Sequence, residues 1–161
     1  MVGYNVQKRN QKEDKMKTKQ IALTAMFAAL YYVLGIVFQP ISFGAIQIRV
    51  ACALIPLIYL FGSPATIGIT IGHLLFNIGS PLGSLDLYSP FIFLIPRILI
   101  QKYGVKAMPI HTVVVGGWVS YILSTFGLPF LPVFLTVSIG EFIAEWYLGY
   151  ILLYSGVESR I

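Results

Sequence analysis

The residues that can do chemistry are few and spaced like helix faces. Gln47 and Arg49 stand two apart, and His73 and Asn77 stand four apart, which stacks them on one face of a helix. Asp86 closes a polar, glycine-rich stretch, Gly79-Ser80-Pro81-Leu82-Gly83-Ser84-Leu85. Glu141 and Glu145 are again four apart, and Trp118 and Trp146 are flat surfaces for stacking. Such a set supplies donors (Arg49, Asn77, Gln47), acceptors (Asp86, Glu141) and aromatic faces. Those are the requirements for holding a flat polar heterocycle by its edge and its rings.

Catalysis has less support. The chain carries no Gly-x-Ser-x-Gly elbow, no His-Glu-x-x-His pair and no phosphate loop of the GxxxxGK[ST] type. Asp86 is the one aspartate beyond the first nineteen residues, so no multi-aspartate cluster exists for phosphoryl transfer. Cys52 is the single cysteine, which excludes a disulfide framework and a thiolate metal cage. The sequence therefore predicts no enzyme and no cofactor. Structural roles stay open for each polar residue: Arg49 snorkelling to lipid phosphate, Asp86 capping a helix, His73 and Asn77 bonding between helices.

These residues need elements to hold them. Of 161 residues, 57% are apolar and 11% charged, with a mean hydropathy of +0.82. Soluble domains carry about 25% charged residues, so the body of the chain belongs in a bilayer. Six basic residues in the first nineteen (Lys8, Arg9, Lys12, Lys15, Lys17, Lys19) face only Glu13 and Asp14. That confined surplus explains a pI of 9.4 without nucleic acid. A basic stretch beside a first apolar span reads as a cytoplasmic anchor on anionic lipid.

Residues 1–19 read as this tail and 20–161 as a membrane domain. Apolar segments run from Gln20 to Phe38, Ile46 to Phe61, beyond Pro64 to Ile78, Leu87 to Ile100, Ala107 to Phe126, and beyond Pro132 to Tyr154. The sequence predicts an all-α integral membrane protein, a six-transmembrane-helix bundle in the cell membrane. The third and fourth segments fall short of the ~20 residues that cross ~30 Å of hydrocarbon, which leaves a re-entrant hairpin open. Lys102, Lys106 and Arg160 join the tail on one side, with Arg97 near that end, and Arg49 lies on the other. The basic-inside bias then puts both termini in the cytoplasm. In the first segment Ala25 and Ala29 are small residues four apart, spacing that lets another helix approach closely, whether a sibling or another subunit.

The run Ser42-Phe43-Gly44-Ala45-Ile46-Gln47-Ile48-Arg49-Val50 with Ala53-Leu54-Ile55-Pro56-Leu57 resembles the first outer loop and second helix of the queuosine-precursor transporter (QueT) family. So do Gly72 with Asn77, Pro81-Leu82-Gly83, Leu85-Asp86, Gly140-Glu141 and Leu148-Gly149-Tyr150. The resemblance implies a substrate-binding S component of an energy-coupling factor (ECF) transporter, taking up a 7-deazaguanine precursor of queuosine or archaeosine. It implies a transmembrane coupling subunit docked on Ala25 and Ala29, and two cytosolic ABC ATPases. The chain departs from the family pattern at Cys52, where relatives usually carry an acid, and at His73, where they often carry cysteine. The competing readings are an autonomous secondary transporter and a membrane scaffold subunit for another small molecule.

Overall fold

The computed structural model describes the backbone of residues 2–42 and 47–158, and the side chains of 13–42 and 47–155. Every regular element among them is helical. The long helix α1 (Val2–Val37) runs through the basic tail into the first apolar segment without a break at residue 20. Thr18 and Thr24 do not interrupt it, because each hydroxyl folds back onto the carbonyl four residues earlier, at 2.9 Å. Pro40 lies inside the one-turn helix α2 (Gln39–Ser42) that follows.

The second segment departs from the expected regular helix. Residues 47–49 carry no regular structure, Val50–Leu57 is a 3-10 helix containing Pro56, and only Ile58–Phe61 (α3) is α-helical. Pro56 lacks an amide hydrogen and cannot sustain an α ladder through this stretch. The expected start at Ile46, with Phe43, Gly44 and Ala45 of the loop motif, lies outside the described residues. Gly62 alone separates α3 from α4 (Ser63–Asn77).

A 3-10 turn (Ser84–Tyr88) leads into the short α5 (Ser89–Ile92) and α6 (Leu94–Tyr103). A second 3-10 turn (Gly104–Ala107) joins these to α7 (Met108–Thr125), which packs back against α6. The last segment begins earlier than Pro132: α8 (Phe130–Phe142) passes through a π-helical turn (Ile143–Leu148) into α9 (Gly149–Glu158).

Two packings hold the bundle together, α1 against α4 and α7 against α8. The first is a close seam. A Cβ on Gly68 would strike the Thr24 carbonyl and the Phe27 side chain, and one on Gly72 the Ala28 carbonyl and the Tyr31 side chain. This Gly-xxx-Gly pair brings the two backbones together, as small residues do between helices in lipid. Ala25 and Ala29 are exposed and take no part in it. One apolar cluster gathers Phe27, Tyr31, Ile55, Ile58, Ile69, Ile100 and Met108. The other gathers Phe93, Val115, Val119, Ile122 and Val137.

Burial inverts the soluble pattern. Ile95 and Ile98 are 69% and 51% exposed, while Arg97 between them is fully buried. Ile67, Ile71, Leu135, Ile139 and Ile151 also face outward. Among the described residues, three helical runs, Glu13–Val37, Ser84–Thr125 and Phe130–Ser155, are long and apolar enough to cross a membrane.

Candidate functional site

The polar residues converge in the interior. Gly140 makes the convergence possible, because a Cβ there would collide with the backbone at Gln47 and Ile48. Its absence lets residues 47–49 lie directly on α8, which delivers Gln47 and Arg49 to Glu141. All three are buried. Arg49 Nε stands 3.9 Å from Glu141 Oε1, a charge pair too long for a hydrogen bond. Cys52 Sγ donates to the same carboxylate oxygen at 3.6 Å, and Tyr31 Oη lies 3.7 Å from the sulfur.

A second group lies along α4 and α6. The Arg97 guanidinium contacts His73 Nδ1 at 3.0 Å and donates to Thr70 Oγ1 at 3.2 Å. His73 sits between aromatic rings, 5.2 Å from Tyr31 and 5.6 Å from Phe93, nearly parallel to the latter. Phe93 in turn meets the edge of His111 at 5.8 Å. His111 Nδ1 is paired with Glu145 Oε1, and Thr112 donates to Glu145 Oε2 at 2.9 Å. Glu145 rides on the π-helical turn, a local widening that recurs at functional positions.

The 79–88 stretch forms a third group, closed on itself. Asp86 accepts from Ser80 Oγ at 2.6 Å and from Ser89 Oγ at 2.5 Å, one hydroxyl on each carboxylate oxygen. Asn77 Nδ2 donates to the Asp86 carbonyl at 2.7 Å, and Trp118 Nε1 donates to Ser89 Oγ at 2.9 Å. Asp86 therefore ties the loop to α5, and Trp118 serves the loop through its indole N–H.

Among the described residues, several buried atoms have no hydrogen-bond partner. They include all three nitrogens of the Arg49 guanidinium, Gln47 Oε1, His73 Nε2, Asn77 Oδ1 and Glu141 Oε2. Buried polar groups left so cost ~1–3 kcal/mol each, which native interiors normally avoid. Together they present donors and acceptors to any polar molecule that reaches them. Among the described residues, no three His, Cys, Asp or Glu side chains stand together as a metal site.

Of the expected residues, Gln47, Arg49, His73, Asn77, Asp86 and Glu141 are all buried, and Trp118 is half-buried beside the loop. Sequence reasoning did not single out Arg97 for the site, using it only as a cation near the inner end of its segment; its side chain is fully buried. Its signal was present: a cation in Phe91-Ile92-Phe93-Leu94-Ile95-Pro96-Arg97-Ile98-Leu99-Ile100 is costly in lipid unless it faces the bundle interior. It also missed the His111–Glu145 pair, whose members are distant in sequence and carry no local pattern.

A helical bundle with an apolar exterior and ionisable groups gathered inside is the build of a membrane protein that handles a polar solute. The model of the QueT transporter family matches residues 21–156, and the chain belongs to that family. It is thus a membrane transporter, and the family is not one of enzymes. No curated protein and no solved structure matches the chain.

Proposed function

We propose that this transporter is the S component of an ECF-type importer that binds a 7-deazaguanine precursor of queuosine or archaeosine. The observation that carries the reading is the set of buried, unpartnered donors and acceptors around Arg49 and Glu141. A 7-deazaguanine offers a ring N–H and an exocyclic amine, which Glu141 Oε2 accepts, and a ring oxo group and a ring nitrogen, to which Arg49 donates. Gln47 and Asn77 add acceptors at the edge of the same group. Cys52, where relatives carry an acid, bonds Glu141, so Glu141 supplies the carboxylate that position lacks. Asp86 and Trp118 shape the 79–88 loop beside the cargo.

In this reading the chain crosses the cytoplasmic membrane six times with both termini inside. The length of Ser84–Thr125, 42 residues, supports two of those crossings: as one helix it would reach about 63 Å, twice the hydrocarbon core. The basic tail of α1 and Lys102 and Lys106 occupy the inner side. The exposed Ala25 and Ala29 form the face that docks on a transmembrane coupling subunit, and two ABC ATPases supply the energy. A groove of about 730 Å³, lined in part by Ala25, Ala28, Ile67 and Ile71, continues that face.

The test is calorimetric titration of the detergent-purified protein with queuine, preQ1, preQ0 and guanine. Sub-micromolar binding of one of the first three, with guanine much weaker, is expected; no heat from any of the four defeats the cargo assignment. Arg49→Ala is expected to weaken that binding by ~1–3 kcal/mol through loss of buried hydrogen bonds. A second reading, an autonomous proton-driven transporter, draws on the buried His111–Glu145 pair beside Glu141. Uptake by this chain alone in proteoliposomes under a pH gradient would favour it.

A further inference from the structure

Arg97 is a fully buried cation, and among the described residues no carboxylate oxygen lies within ion-pair distance of it. Its guanidinium instead contacts His73 Nδ1 and Thr70 Oγ1, at 3.0 and 3.2 Å, with the Tyr31 and Phe93 rings 5.9 and 6.0 Å away. A guanidinium has five N–H donors and no acceptor. The nitrogen facing it must therefore offer a lone pair, so Nδ1 of His73 carries no proton and Nε2 carries the ring hydrogen. His73 Nε2 is buried and has no hydrogen-bond partner among the described residues. Tyr31 and Phe93 hold the ring on either side and fix its direction.

We propose that Arg97 is a positioning residue that locks His73 as an Nε2–H donor, and that this donor selects a cargo carrying an uncharged acceptor, a ring oxo or nitrile nitrogen. His111 supplies the contrast. Its Nδ1 faces the Glu145 carboxyl, which accepts a hydrogen bond when ionised and donates one when protonated, so that partner does not fix the tautomer as an arginine does. Of the two histidines, His73 is therefore the one whose polarity its neighbour dictates. Selection of cargo rests on the S-component reading given above; the tautomer does not.

The test is ¹⁵N NMR of full-length protein labelled at histidine, in nanodiscs, with His73→Gln used for assignment. In the free protein His73 is expected to show an unprotonated Nδ1 and a protonated Nε2, and Arg97→Lys, which keeps a donor cation, is expected to preserve this. A proton on Nδ1 in the wild type overturns the proposal whatever the protein carries. With the tightest-binding 7-deazaguanine, the Nε2–H signal is expected to shift. Arg97→Met and His73→Phe should each weaken binding about tenfold, the range of one buried hydrogen bond, and the double variant no further. His73→Gln, which keeps an N–H donor, should retain most of the affinity. Additive losses, or an unmoved Nε2–H signal with cargo bound, overturn the selective role. Failure of every deazaguanine to bind defeats the cargo assignment alone, because the free protein still reports the tautomer.

Discussion

The α1–α4 seam and the polar interior lie on opposite faces of the same helix and obey opposite rules. At the seam, Gly68 and Gly72 remove side chains so that backbones meet. Across α4, His73 and Asn77 project into an interior where Arg49, Gln47 and Glu141 keep buried atoms unpaired. Among the described residues, one face is closed by backbone contact and the other holds buried polar atoms without partners. Substitutions at the two faces therefore test stability and function separately, except where one residue serves both.

The largest effect is expected from Glu141→Ala, which belongs to both categories. It leaves the buried Arg49 without its carboxylate, so thermal denaturation should show about 3 kcal/mol of lost stability and calorimetry no cargo binding. A variant as stable as the wild type would mean that Arg49 is compensated elsewhere. Gly68→Val should cost about 2 kcal/mol through overpacking against the Thr24 carbonyl and Phe27, with the Kd of the folded fraction unchanged. A changed Kd would show that the seam shapes the site.

Ser89→Ala sharpens the boundary between the two regions, since the hydroxyl both donates to Asp86 and accepts from Trp118. About 1 kcal/mol is expected, with faster hydrogen exchange confined to residues 79–88. Exchange rising throughout α4 would tie the loop to the core. The smallest effect is expected from Ala25→Trp. Its site is exposed, so stability should move by less than about 0.5 kcal/mol and cargo affinity not at all, while coupling-subunit co-purification is lost. Normal co-purification would remove Ala25 from the docking face.

Much of the site was legible because charge is scarce in this chain, and each polar residue in an apolar run stands out. His73 and Asn77, four apart, do share a face, as helical spacing requires. The second segment was less legible, since hydropathy does not distinguish an α-helix from the 3-10 turn that Pro56 imposes. The alanine pair was visible, but spacing alone does not assign it to a neighbour. The structure gives the inner seam to Gly68 and Gly72 and leaves Ala25 and Ala29 outside.

The sequence by itself determined the solvent and the currency of the site. Apolar length sets a bilayer protein, and the few polar residues are the only groups able to read a polar cargo, because composition fixes what must be hidden from lipid. Only the tertiary structure decided the pairings. Arg97 meets His73 across α6 and α4, His111 meets Glu145 across α7 and the π-helical turn, and Asp86 turns to Ser80 and Ser89. Hydrogen bonds are short and directional, so partners remote in sequence are fixed by how the helices pack, which no local pattern encodes.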